Sequence, residues 1–231
     1  MLLAIDTSTL TIGAAVCNAD GVLSQASESG TRAHAELLAP AIEEALHAAS
    51  STPADLGAVV VGVGPGPFTG LRVGIVTAAV MGYTLGIPVH GICSLDAIAF
   101  EVATGHRDEV GPAGEFLVAT DARRKEVYWA HYRLSDSAVG FTRVSDPAVN
   151  KAADLSADLA ALPGFGAGPS LYSETLTPTQ GPQNVSPAQL GLLGVLALAD
   201  PAVVGAPILR DEQPLYLRRP DASAPPAPPA R

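Results

Sequence analysis

The residues with the most chemical promise stand in the stretch Gly64-Pro65-Gly66-Pro67-Phe68-Thr69-Gly70-Leu71-Arg72-Val73-Gly74. It is not the phosphate loop of the Walker type. The spacing from Gly64 to Gly70 is one residue too long, and Arg72 stands where no Lys-Ser/Thr pair follows. A tight connection from strand to helix accounts for the loop itself, with Pro65 and Pro67 fixing the backbone and Gly64 and Gly66 taking angles other residues avoid. From Gly70 onward, Gly70, Gly74, Ala78, Gly82 and Gly86 recur every four residues, which leaves one helix face almost without side chains. An internal glycine costs ~1 kcal/mol against alanine, so this face calls for close approach of another helix, from the same chain or from another subunit. Two polar clusters stand at turn positions, Asp6-Thr7-Ser8-Thr9 and Asp121-Ala122-Arg123-Arg124-Lys125. The histidines, His34, His47, His90, His106 and His131, form no H-x-x-x-H or H-E-x-x-H pair, so a zinc hydrolase has no ligands in register. His34 reads as a residue that caps or orients its helix. No G-x-S-x-G elbow offers a nucleophile. Cys17 and Cys93 lie far apart without a C-x-x-C, which fits a reducing compartment and two core thiols.

Hydrophobic periodicity predicts the elements that position these residues. Leu2 to Asp6, Thr11 to Cys17 and Gly21 to Ser27 are short, rich in small or β-branched residues and separated by polar turns, which predicts a three-stranded antiparallel start. From Ala33 to Ala49, the residues Leu37, Leu38, Ala41, Ile42, Ala45 and Leu46 share a stripe opposite Glu36, Glu43 and Glu44. This predicts an amphipathic helix, kinked at Pro40 unless the helix proper starts a turn earlier. A buried strand over Ala58 to Val63, the glycine loop, a helix to Gly86, a strand over Pro88 to Cys93 and a helix over Ser94 to Thr104 complete the order βββαβαβα. A second copy begins where Leu117-Val118-Ala119-Thr120-Asp121 aligns with the strand ending at Asp6. Glu126 to Tyr132 follows as its next strand, and Pro163 to Gly168 and the helical stretch Pro187 to Ala199 take the places of the glycine loop and its helix. The expectation is two related lobes, 1–106 and 107–219, the second eroded, followed by a flexible Pro/Ala tail over 220–231.

A chain of 231 residues, 48% hydrophobic and 16% charged, has the composition of an ordered protein able to bury a core. Its 23 Asp and Glu against 13 Lys and Arg give a net charge of -10, which opposes long-range attraction to a phosphate backbone. Nucleic acid is therefore not expected to be held by this chain unaided. The first residues lack a basic segment and read as a strand, not a signal peptide. The apolar stretch Val73 to Met81 is nine residues, short of the ~20 that cross a bilayer. A cytoplasmic protein with no membrane span is the expectation.

A doubled βββαβαβα unit that opens on an aspartate at a strand-to-turn junction resembles the actin, hexokinase and Hsp70 ATPases. The implied fold is α/β, the actin-like ATPase (ASKHA, ribonuclease H-like) fold, with two related lobes of mixed sheets flanked by helices. In those ATPases that turn meets phosphate and metal, and glycine follows the variable residue so that amides approach closely. Ser8 occupies that place here, and the turn at Asp121 also lacks the glycine. Asp6, Thr7, Ser8, Gly64, Gly66 and Asp121 are accordingly read as a vestigial nucleotide loop, with Asp6 capping its turn.

The Ile5-Asp6-Thr7-Ser8-Thr9 start resembles the TsaB (YeaZ) family of tRNA threonylcarbamoyladenosine biosynthesis proteins. So do the helix carrying His34, Glu36, Leu37, Leu38 and Pro40, the loop GPGPFTGLRVG, the segment from Asp121 to Tyr128, and the closing Pro214 to Arg218. Pro67 replaces the family's usual serine. The resemblance implies a scaffold and dimerization subunit with no catalytic residues of its own. It pairs with a TsaD-like paralogue through a bundle of the first two long helices. The implied contacts are His34, Leu37, Leu38, Ala41, Ile42 and Ala45 on one helix, and Thr69, Gly70, Arg72, Val73, Gly74, Ala78, Met81 and Gly82 on the other. The paralogue carries the metal. It transfers a threonylcarbamoyl group from its adenylate to the adenosine 3′ of the anticodon in tRNAs that read codons starting with A. The family further implies a TsaE-like ATPase as partner, a homodimer when the chain is alone, and tRNA contact only within the complex. The resemblance also implies no cofactor bound tightly by this chain, and it leaves open whether ATP or ADP sits at the complex interface. A glycoprotease-like metallopeptidase is the alternative from another class, opposed by the lack of paired metal ligands. An autonomous actin-fold kinase is a second, opposed by the missing turn glycine.

Overall fold

The first strand is apolar at every position before its terminal aspartate, and such a strand must be covered on both faces. In the computed structural model, which describes residues 1–29, 34–200 and 208–218, it is β1 (Leu2–Asp6), buried throughout inside a six-stranded sheet. β2 (Thr11–Asn18) runs antiparallel to it, and β3 (Gly21–Ser29) pairs antiparallel with β2 at the edge. The chain crosses through α1 (His34–Ala48) to β4 (Ala58–Gly62), parallel to β1. It crosses again through α2 (Phe68–Leu85) to β5 (Val89–Ile92), parallel to β4. The order is thus β3-β2-β1-β4-β5. α3 (Ser94–Gly105) leads out of this lobe.

The second lobe repeats the pattern. β6 (Glu115–Asp121), β7 (Glu126–Leu134) and β8 (Phe141–Arg143) are antiparallel, and β9 (Ala148–Lys151) also pairs with β7. After α4 (Ala157–Ala160), β10 (Pro163–Phe165) lies parallel to β6; after α5 (Ala167–Leu171), β11 (Thr177–Pro178) lies parallel to β10. The order β8-β7-β6-β10-β11 matches that of the first sheet strand for strand. The molecule therefore has the α/β actin-like ATPase fold, with two mixed sheets flanked by helices. Erosion is visible in the crossovers: helices of 15 and 18 residues in the first lobe shrink to 4 and 5 in the second.

One placement differs from the sequence expectation. The helix after the second glycine loop is α5, whereas α6 (Pro187–Ala199) crosses back and packs on the first sheet, Gly191 against Ala4 and Cys17 and Gly194 against Val60. β12 (Leu209–Arg210) then pairs antiparallel with β5. Apolar side chains on nearly every side of α6 suit it to a place between a sheet and another helix. Within the stretch 107–219 this return segment thus belongs to the first sheet. The 220–231 tail lies outside the described residues.

Alternation along β1 divides the core. Leu3 and Ile5 face Leu38 of α1 and Leu71 of α2, while Leu2 and Ala4 face a larger cluster that runs through Leu95 and Ile98 of α3 and Leu190 of α6 to Phe116 and Tyr132 of the second lobe. Inside that shared core, Asp96 of α3 accepts Tyr132 Oη–H at 2.7 Å and Arg143 Nη1–H at 2.8 and 3.0 Å. Among the described residues α2 is the one helix long and apolar enough to cross a bilayer, longer than the nine-residue stretch read from the sequence. Its small-residue face is buried in the lobe.

Candidate functional site

β1 delivers Asp6 to the edge of the sheet where the loops after β4 and β5 also arrive. Asp6 is fully buried, and its Oδ1 accepts the Ser8 N–H and the Ser8 hydroxyl, each at 2.7 Å. Its Oδ2 accepts the Ser94 hydroxyl at 2.9 Å, and Ser94 Oγ in turn accepts the Gly64 N–H at 3.1 Å. Burial pushes the Asp6 carboxyl up to about 6, against the pull of the Ser8 and Ser94 hydrogen bonds. Gly66 lies so close beneath that a Cβ there would sit 2.5 Å from the Ser8 carbonyl oxygen. Both carboxylate oxygens are thus occupied, Oδ1 by Ser8 of the turn and Oδ2 by Ser94 at the start of α3. Metal-bound phosphate would have to displace Ser8 or Ser94 to reach them, so this turn as it stands does not fit that group.

The equivalent turn in the second lobe keeps the same local bond: Asp121 Oδ1 accepts the Arg123 N–H at 2.8 Å. An 870 Å³ cleft separates the two lobes here, lined by Ser8, Thr69 and Val73 on one side and by Asp121, Arg123 and Asn184 on the other. Of the residues expected in a vestigial loop, the structure brings Ser8 and Asp121 to this cleft. Asp6, Thr7, Gly64 and Gly66 are buried.

The face expected to meet another subunit is mostly occupied by the chain itself. Leu38, Ala41, Ile42 and Ala45 of α1 are buried in the first lobe, and Leu37 is partly buried against the same cluster. His34 opens α1, but its side chain lies outside the described residues. On α2, Gly70, Gly74, Ala78 and Gly82 are buried. Thr7 explains the first two: its hydroxyl donates to the Gly70 carbonyl at 2.8 Å and accepts the Gly74 N–H at 3.1 Å. A Cβ at position 74 would stand 2.6 Å from that hydroxyl, and one at position 82 would stand 3.1 Å from the Ile87 carbonyl oxygen. Within the chain the small-residue face is therefore filled by the turn after β1 and, through Val89, by the strand β5.

The opposite side of α2 is open. Thr69 and Arg72 are exposed, Val73 and Met81 are half-buried, and Val76 and Val80 are each 58% exposed, with Tyr83 at 92%. Val76, Val80 and Tyr83 recur at i, i+4 and i+7 and so share one stripe. Sequence reasoning missed them because α2 is apolar almost all round and its buried face drew the attention. It also missed Ser94, whose only local signal is a serine opening a helix directly after a strand.

Among the described residues no three His, Cys, Asp or Glu side chains are placed to share a metal ion. Cys17 and Cys93 are buried and unbridged, and burial pushes their thiols up to about 11 and about 12. Neither is a poised nucleophile.

Residues 21–192 match the family model described as TsaD: tRNA N6-adenosine threonylcarbamoyltransferase. An uncharacterized protein of Mycobacterium tuberculosis is 45% identical over 96% of this chain and 93% of its own length. The tRNA threonylcarbamoyladenosine biosynthesis protein TsaB of Bacillus subtilis is 33% identical over 58% of this chain and 56% of its own. Among solved structures, YeaZ from Pseudomonas aeruginosa superposes with a TM-score of 0.76 at 25% identity, covering 94% of this chain and 99% of that one.

Proposed function

We propose that this chain, which belongs to the TsaD family as a TsaB (YeaZ) member, is a non-catalytic scaffold that pairs with a TsaD-like paralogue. The family works in tRNA threonylcarbamoyladenosine biosynthesis. In this reading the paralogue holds the metal and transfers the threonylcarbamoyl group to the adenosine 3′ of the anticodon in the cytoplasm. The present chain supplies the surface on which the paralogue is ordered. A TsaE-like ATPase is a further partner, and a homodimer forms when the paralogue is absent.

The observation that carries this reading is the outer face of α2. An exposed stripe of two valines and a tyrosine, on a helix whose other face is locked into the sheet, is a rigid apolar surface, and such surfaces mark interaction sites. The committed carboxylate of Asp6 supports the same reading, because both of its oxygens are taken by Ser8 and Ser94.

Purified paralogue, threonylcarbamoyl-adenylate and tRNA test the proposal. Transfer is expected when both proteins are present and not from this chain alone. Transfer by the isolated chain, or equal transfer by the paralogue without it, contradicts the scaffold reading.

A further inference from the structure

At the N-terminal end of α2, three distant segments enclose a small pocket. These are the Gly66–Phe68 loop, the Asp121–Arg123 turn and the closing Tyr216–Arg218 segment. Phe68 and Tyr216 stack with ring centroids 5.1 Å apart, the Arg72 guanidinium lies 4.1 Å from the Phe68 centroid, and Arg72 Nε–H donates to Tyr216 Oη at 3.1 Å. Both rings remain about two-fifths exposed, at 40% and 42%. Arg72 has no carboxylate at ion-pair distance among the described residues. The pocket holds about 240 Å³, below the ~300–1,000 Å³ typical of whole small-molecule sites. It suits one unit of a longer ligand.

The second cation is presented by an unusual backbone. Arg123, Arg124 and Lys125 have φ of 63°, 54° and 65°, three successive left-handed residues with long side chains. Each costs roughly 1–2 kcal/mol relative to an ordinary conformation. The run persists because its ends are tied: Asp121 takes the Arg123 N–H, the Arg123 carbonyl takes the Glu126 N–H at 2.9 Å, and the Lys125 carbonyl takes the Ala152 N–H at 3.2 Å. The result is a fixed tip on which three neighbouring cations are displayed in a chain of net charge -10. Arg123 is 67% exposed, and its contact with Asp121 is a loose 3.4 Å, worth little in water, so its charge is open to another anion. Arg218 plays the structural part, donating to the Ala122 carbonyl at 3.2 Å and pairing with Glu126.

We infer that this pocket binds single-stranded RNA, with Arg123 at the pocket and Arg72 beside it on the phosphate backbone and a base against the exposed Tyr216 ring. Exposed aromatic rings take bases of any sequence, and guanidinium groups beside them take the backbone. The inference rests on the proposed role in tRNA modification, which supplies the RNA. It explains why the most cationic turn of an acidic protein is held in strain beside an aromatic pair.

The test uses the full chain in complex with its TsaD-like paralogue and a labelled tRNA carrying adenosine 3′ of the anticodon. Anisotropy is recorded across a salt series for wild type, for Arg72→Gln with Arg123→Gln, for Arg123→Gln alone, and for Tyr216→Ala. The double substitution is expected to reduce the slope of log affinity against log salt by about one to two units. Tyr216→Ala is expected to weaken binding about tenfold without changing the slope. Pairing with the paralogue is expected to stay intact in Tyr216→Ala and in Arg123→Gln alone, which leaves the docking helix unaltered and by itself is expected to reduce the slope by about one unit. An unchanged slope in the double variant overturns the inference. So does a loss of pairing in Arg123→Gln alone that matches its loss of tRNA, which would give the pocket to an acidic segment of the protein partner. A wild-type complex that takes up no tRNA removes the proposed function along with the inference, whereas either of the first two outcomes leaves that function standing.

Discussion

Asp6 shows how a residue can keep its identity and change its task. Its bond to the Ser8 N–H is local, two residues on, and the sequence already reads it as a turn cap with serine where close phosphate approach asks for glycine. Ser94, 88 positions away, was not legible, because nothing local encodes which distant hydroxyl will meet a carboxylate. The environment makes a titration prediction. An acid whose folded pKa lies above its unfolded value binds its proton more tightly when folded, so stability is lost as pH rises from about 4 to about 6 and the cost is complete above that. A shift of about two pH units corresponds to roughly 3 kcal/mol. Urea denaturation of wild type and Asp6→Asn at about pH 4 and about pH 7 isolates this contribution. The asparagine variant is expected to gain on wild type by that order between the two conditions, and a parallel pH dependence in both proteins would contradict the account.

At the scale of elements, α2 was legible as a helix with a side-chain-free face, but what that face meets was not. Periodicity reports that a face is special; on a helix apolar nearly all round it does not say which side is core. The structure assigns the small face to Thr7 and β5 and the Val76–Val80–Tyr83 side to the surface. The second glycine loop shows the converse. The repeat was legible because β1 and β6 end in the same Asp turn. The place of α6 was not, because a long apolar helix satisfies its pattern on either sheet. Ala78→Leu separates the two faces of α2. Ala78 is fully buried, so three added carbons overfill the lobe at ~1–3 kcal/mol while helix propensity barely changes. For a domain of this size that lowers the melting temperature by about 2–4 °C per kcal/mol. Pairing by the folded protein is expected to stay at wild-type affinity. A Leu variant that melts normally but pairs weakly would return the small-residue face to the subunit interface.

For the whole molecule, the shared core matters more than either sheet. α3 and α6 run apolar contacts from β1 and β4 into the second lobe, and Asp96 is clasped by Tyr132 and Arg143 from that lobe. Burial pushes the Asp96 carboxyl up, and the Arg143 guanidinium, itself largely withdrawn from water, holds it down. A buried pair of this kind adds little net stability, but losing one partner costs ~3–5 kcal/mol, so the two lobes are held in one relation. Among the described residues the outer side of α2 is a long helix face with exposed apolar side chains. The proposed pairing of this face with the TsaD-like paralogue is tested by the dissociation constant of that pair measured with Val80→Asp. Val80 is 58% exposed in the free chain, so the aspartate is harmless there and becomes an unpaired charge only when the face is covered. Pairing is expected to weaken at least about tenfold, about 1.4 kcal/mol, at an unchanged melting temperature. Wild-type affinity in the Asp variant would remove this face from the subunit interface.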